Sequence, residues 1–170
     1  MSAPHIEALF DEVADQHGPM IRRIAASYEA DPEARRELQQ DILMAVWRAL
    51  PGWRGEASVR TFAARVAHNR GVDHVARHAR APRTVELDEQ LALDAPSAHD
   101  VVERSEQRER LMRAVRALPL PLRQVTVLTL EDFTPSEIAD VLGVGANAVS
   151  IRLTRAKAAL REAMQRQERS

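Results

Sequence analysis

The sequence predicts an all-α chain, two small helical domains joined by a flexible acidic linker, on three observations. Apolar residues recur at helical spacing through most of the chain, and no stretch alternates as a half-buried strand would. Capping residues stand where helices should open, and proline or glycine where they should close. Between about Arg83 and His99 the periodicity fades, acids accumulate and Pro96-Ser97 intervenes. The expected division is 1–82, an acidic linker over 83–105, and 106–170, and 170 residues suffice for two such units.

Each element has its own warrant. IEALFDEVADQ and MIRRIAASY read as two short helices separated by Gly18-Pro19. Asp31-Pro32-Glu33 sets a cap, an N1 proline and an early acid in order, and opens a helix to about Leu50. Pro51-Gly52 stops it, and Leu38, Ile42, Val46 and Ala49 form its apolar stripe. WRGEAS is a loop, and 59–80 is a long helix ended by Pro82. Within that helix Phe62, Val66, Asn69, Val72 and Ala76 share one face, while Arg60, Arg70, His74, Arg77 and His78 cluster on another. Past the linker a helix resumes near Val101, breaks at Pro119 and Pro121, and is followed by the apolar-faced helix LRQVTVLTLE.

The stretch TPSEIADVLGVGANAVSIRLTRAKAAL (134–160) is the most informative. Thr134-Pro135-Ser136-Glu137 is a capping box: the threonine hydroxyl accepts from the N3 amide and the glutamate reaches back. Ile138 and Leu142 face a core, Gly143 ends the helix and Val144 packs in the turn. In the second helix Val149, Leu153, Ala156 and Leu160 fall on one side. The other side presents Asn147, Ile151, Thr154 and Ala158, flanked by Ser150, Arg155 and Arg161. That outer face is small, polar and basic. It suits a helix whose first residues touch base edges and whose later cations hold phosphates, with Ile151 placed to meet a thymine methyl. The same geometry also fits an ordinary helical hairpin with a solvated basic face. Charge distribution favours DNA.

Net charge is −1, which conceals an alternation along the chain. Segments 1–53, 54–83, 84–110, 111–146 and 147–170 carry −4, +5, −5, −1 and +4. Two basic stretches in an otherwise acidic chain point to a polyanionic partner more than the total does. With no cysteine, neither a disulfide framework nor a thiol switch is available. No apolar run reaches the ~18 residues a membrane span needs. The N-terminus is acidic early and lacks a basic leader, so a cytoplasmic protein is expected.

Two blocks carry a family resemblance. RLMRAVRALPLPLRQVTVLTLEDFTPSEIADVLGVGANAVSIRLTRAKAALREAM resembles region 4 of bacterial extracytoplasmic-function (group 4) sigma factors. ELQQDILMAVWRALPGWRGEASVRTFAARVAHNRGVDHV resembles their region 2. The order and spacing are those of the family, with a variable linker between. The resemblance implies a subunit that binds core RNA polymerase and recruits it to particular promoters, commonly held by an anti-sigma factor. It implies that Gln40, Asp41, Leu43 and Trp47 dock on the clamp helices of the largest polymerase subunit, Leu43 standing where phenylalanine is usual. Region 4 would also contact the flap. Arg54, Gly55, Glu56 and Ser58 would cradle a flipped base of the melted minus-ten element, and Asn69 would shape that pocket. Asn147, Ser150, Ile151, Thr154, Arg155 and Lys157 would read the minus-thirty-five duplex. Ser150-Ile151 replaces a commoner lysine-serine pair, which removes one phosphate-reaching charge.

Physical reasoning sits beside this resemblance. A single-strand reader needs a cationic track and a place for an unstacked base. Arg60, Arg70, His74 and Arg77 supply the track and the loop ahead of them the polar groups. Extruding a base costs a few kcal/mol, so the pocket must return it in hydrogen bonds. Asn69 lies among apolar residues, where a buried asparagine satisfied by backbone is as good a reading as a base contact. Trp47 is read as core or subunit-interface packing, and Trp53 as either a stacking platform or loop packing. His74 and His78 stand at i, i+4 beside Asp73, a metal-ligand spacing. No third ligand is evident, so they are read as a solvated basic face, with no metal or cofactor expected. A stand-alone helix-turn-helix regulator would leave the 38–80 block unused. A nuclease or recombinase needs clustered carboxylates or an activated serine or tyrosine among arginines, and Tyr28 lies away from both basic stretches. No enzymatic activity is expected. How the two domains sit relative to each other is left open.

Overall fold

The computed structural model describes residues 2–80 and 99–169. Helices run α1 Ala3–Gln16, α2 Gly18–Tyr28, α3 Pro32–Ala49, α4 Val59–Arg80, α5 His99–Ala117, α6 Leu120–Leu130, α7 Pro135–Leu142 and α8 Ala146–Glu168. A 3₁₀ turn, Leu50–Gly52, follows α3, and no strand occurs among the described residues. The all-α expectation holds. The expected linker over 83–98 and the stop at Pro82 lie outside the described residues. Residues 99–105 are helical, since α5 begins at His99.

The element starts follow local chemistry. Asp31 caps α3, its carboxylate accepting from the Ala34 amide at 2.7 Å, with Pro32 next in line. Leu38, Ile42 and Val46 are buried as expected and Ala45 joins them, whereas Ala49 is only half-buried. Two expected breaks move. Gly18-Pro19 is the first turn of α2, with the break at His17. Pro121 lies in the first turn of α6, where a missing N–H costs nothing, and only Pro119 interrupts the chain.

In the N-terminal domain α2, α3 and α4 pack around Ile21, Ile24, Leu38, Ile42, Val46 and Leu50, with α1 across one side. The C-terminal domain packs α5 to α8 around Val115, Val125, Leu128, Ile138, Val149 and Ala156. The two domains also touch, α2 against α5 and α6, and α4 against α7. Several polar contacts cross that seam. Arg23 grips the buried Glu131 carboxylate with two bonds of 2.6 and 2.7 Å. Arg60 lies over the Phe133 ring, 3.8 Å from its centroid, and donates to the Glu131 carbonyl. Arg65 donates to the Asp140 carbonyl at 2.7 Å, and Arg116 to that of Ala26 at 3.0 Å.

Candidate nucleic-acid interface

The four residues expected to dock on polymerase all lie on α3. Gln40 and Asp41 are both exposed, and Leu43 is half-buried against the core. Trp47 is 41% exposed, held edge-on by Phe10 of α1 at 5.2 Å between ring centroids. It therefore packs on one edge and offers the other. Met44, 53% exposed, completes this patch and was missed from sequence. Its signal was available: Met44 is four residues after Gln40 and three before Trp47, hence on the same helical face. An exposed methionine beside an exposed tryptophan, rimmed by polar groups, is the composition of a protein-docking patch.

The loop between the 3₁₀ turn and α4 is folded by its own side chains. The indole N–H of Trp53 donates to the Ala57 carbonyl at 3.1 Å, so this ring ties the loop across its base. Gly55 has φ +75°, a backbone state that disfavours side chains, which explains a glycine there. Arg54, Gly55, Glu56 and Ser58 are exposed. Ser58 also shapes the helix that follows, since its hydroxyl accepts from the Thr61 amide at 3.0 Å and caps α4.

Helix α4 departs from the sequence reading. The buried residues are Thr61, Ala63, Ala64, Ala67, His68, Gly71 and His74, not the stripe through Phe62, Val66, Asn69, Val72 and Ala76. Small side chains let α2 and α3 approach closely, so the face with less apolar bulk is the one that packs. Asn69 is exposed, which removes the buried-asparagine reading and leaves its amide free to meet a ligand. The expected basic face divides. His74 is only 7% exposed and its Nε2 lies 2.7 Å from Glu29, so it does not present a cation to a phosphate track. Arg60 is committed to the domain seam. Arg70 and Arg77 stay on the accessible side, Arg70 4.0 Å from Asp73 and Arg77 bonded to the Asp73 carbonyl.

In the C-terminal domain the helix-turn-helix forms as expected. Thr134 accepts from the Glu137 amide, and the Glu137 carboxylate accepts from the Thr134 amide at 2.7 Å. The Thr134 amide, and after it the Thr134 hydroxyl, hold the Glu137 carboxyl below its ordinary pKa. Gly143 closes α7 in the left-handed region, φ 64°. Val149 and Ala156 are buried while Leu153 and Leu160 pack at the margin. Asn147, Ser150, Ile151, Thr154, Arg155 and Lys157 are all exposed on α8, Ile151 by 44%. Thr154 bonds back to the Ser150 carbonyl at 3.1 Å. The six expected readers thus occupy accessible positions, whereas the nine minus-ten candidates are divided: four in the loop, Asn69, Arg70 and Arg77 on the accessible side of α4, Arg60 at the seam and His74 in the core.

Comparison with known proteins covers most of the chain. The Sigma-70 region 2 family model matches residues 13–81, and the Sigma-70, region 4 model matches residues 108–160. The RNA polymerase sigma factor NccH of Alcaligenes xylosoxydans xylosoxydans is 25% identical over 162 residues, spanning 92% of this chain and 87% of the relative. The ECF RNA polymerase sigma factor SigM of Mycobacterium tuberculosis is 26% identical over 155 residues, spanning 89% and 74%. Among solved structures, CnrH in complex with the cytosolic domain of CnrY superposes with a TM-score of 0.68 at 24% identity, covering 92% of this chain and 87% of that one. The sigma factor RpoE in complex with the anti-sigma factor NepR, from Bartonella quintana, gives 0.71 at 17%, covering 92% and 96%. At those identities the structures share a fold.

Proposed function

The chain belongs to the sigma-70 family, and we propose that it serves as a three-surface initiation subunit of the extracytoplasmic-function group, an adaptor and not a catalyst. Gln40, Asp41, Leu43, Met44 and Trp47 of α3 dock on core RNA polymerase. The loop over 54–58, with Asn69, Arg70 and Arg77 behind it, takes the melted minus-ten strand. Asn147, Ser150, Ile151, Thr154, Arg155 and Lys157 of α8 hold the minus-thirty-five duplex. The observation that supports this most is the placement of accessible faces on two separate domains, one amphipathic on α3 and one small and basic on α8.

Distance sets a condition on the mechanism. Two promoter elements some 25 base steps apart lie roughly 85 Å from each other along the duplex. A compact chain of this length has a radius of gyration of only about 15 Å. The packed arrangement therefore cannot span both, and the domains part on promoter binding. The eighteen residues between α4 and α5 reach about 60 Å when fully drawn out, which suffices once the domains' own widths are added. Parting frees Arg60 from Phe133 and Glu131 for the melted strand. An anti-sigma partner, the kind of protein that accompanies the RpoE relative, acts on this chain by covering the α3 patch and the DNA-facing surfaces.

Run-off transcription with purified core polymerase on a randomised promoter library, read by sequencing, tests this function. Defined start sites that share two upstream elements are expected; absence of core binding together with absence of directed starts overturns it. In the same assay Arg155→Ala weakens binding uniformly across sequences and lowers the salt slope by about one unit. Asn147→Ala or Ile151→Ala relaxes sequence preference instead. If the two kinds of substitution behave alike, α8 is misassigned.

A further inference from the structure

Folding supplies the third ligand that the His74–His78 spacing lacked. Glu29, at the C-cap of α2, brings Oε2 to 2.7 Å from Nε2 of His74. One donor atom from each of Glu29, His74 and His78 lies within 4.8 Å of the other two. Two of the three side chains are pinned by a second bond that leaves a metal-binding atom available. Oε1 of Glu29 accepts from the Asp31 amide at 2.9 Å, leaving Oε2. Nδ1 of His78 donates to the His74 carbonyl at 2.9 Å, leaving Nε2. The His74 ring is buried against that of His78, their centroids 4.0 Å apart. Outer bonds of this kind fix tautomer and orientation in protein metal sites.

We propose that Glu29, His74 and His78 form a binding site for a divalent transition-metal ion of the zinc type, open to solvent on the His78 side. Two imidazoles and one carboxylate match Zn²⁺ or Co²⁺, whereas Mg²⁺ and Ca²⁺ want oxygen ligands throughout. Metal–ligand bonds of about 2.0–2.2 Å place tetrahedral ligand atoms roughly 3.3 Å apart. The ion thus takes the position of the proton between Glu29 and His74, released to solvent, and spreads that contact by about half an ångström. Solvent completes the coordination. Arg70 and Arg77 on α4 and Arg35 on α3, which donates to the Glu29 carbonyl at 3.1 Å, oppose the added charge; Asp73 favours it. The ion would tie the end of α2 to the middle of α4. This site does not depend on the transcriptional function.

The test uses the full chain, stripped with chelator and titrated with Zn²⁺ by calorimetry and native mass spectrometry, and with Co²⁺ by visible absorption. One saturable equivalent is expected, with a nitrogen-ligated Co²⁺ spectrum and a Tm that rises with excess Zn²⁺. His78 is exposed, so His78→Gln should fold normally and lose at least about tenfold in affinity; Glu29→Gln should do the same. His5→Gln, outside the group, should leave the affinity unchanged. No stoichiometric binding in the micromolar range, or equal binding by His78→Gln, overturns the site and leaves Glu29–His74 a structural hydrogen bond only.

Discussion

Tyr28 and His68 meet at 2.7 Å between the phenol oxygen and Nδ1, where α2 packs on α4. Burial raises the phenol's pKa, against opposing contributions from a hydrogen bond with Gln124 and from Arg123, so tyrosine keeps its proton. Burial lowers the imidazole from 6.5 to about 3, since a charged ring there would be stranded. The unfolded ring takes up its proton near 6.5 and the folded ring only near 3. Below pH 6.5 the unfolded state therefore binds more protons, and stability falls by up to about 1.4 kcal/mol per pH unit until pH 3. Above 6.5 this group adds no pH dependence. Urea unfolding between about pH 7 and 4 should show a slope shallower by that amount in His68→Gln than in the parent; equal slopes would refute the assignment. Exposed residues such as Asn147 and Arg155 were readable from helical spacing alone. His68 was not, because a histidine inside a basic stretch carries no mark of its burial.

At the scale of elements, α4 decides how the N-terminal domain packs. A Cβ built on Gly71 would stand 2.3 Å from the Tyr28 ring, with ring atoms as far as Cγ at 2.6 Å. That ring is fixed by His68 and cannot swing aside. Alanine is worth about 1 kcal/mol over glycine in a helix interior, but the overlap outweighs it. Gly71→Ala should destabilise the domain by roughly 1–3 kcal/mol, seen as a lower Tm and urea midpoint. In a Tyr28→Ala background the same change should cost nothing, and a cost that persists there would show that Tyr28 is not the obstacle. The wrong buried face expected for α4 has the same origin. Periodicity weights bulk, so Phe62 and Val66 outscored Ala63, Ala64, Ala67 and Gly71, although tight helix contact selects small residues. In α3 and α8 most buried positions are aliphatic, and there the expected stripes largely hold.

For the molecule as a whole, the domain seam is held by arginines that end on carbonyls, one carboxylate and two aromatic rings. Arg123 of α6, 5.7 Å from the Tyr28 centroid, joins those described above. Domains joined within one chain move relative to one another unless the interface between them is large and apolar. Glu131 is 8% exposed, but the Arg23 side chain is 57% exposed, so solvent screening keeps this pair to about 1 kcal/mol. Glu131→Ala should therefore shift the open-to-closed ratio by about fivefold and strengthen promoter binding by freeing Arg60. Because the chain has no cysteine, two introduced thiols on α3 and α8 can carry a dye pair cleanly. Longer inter-dye distances in Glu131→Ala are expected, and an unchanged distribution would show that the pair does not govern opening. Among the described residues no helix is long and apolar enough to cross a membrane.

Rules of short range were legible in the chain before it folded. The capping box at Thr134, the proline-led start of α3, the start of α4 and the exposed face of α8 all depend on residues within a turn or two of one another. Contacts between distant segments came from folding alone. Glu29 comes to His74 across 45 positions, Arg23 to Glu131 across 108, and Tyr28 onto Gly71. Helical periodicity says which residues share a face. It does not say which face another helix will cover, because that choice is made by the shape and charge of a partner surface elsewhere in the chain.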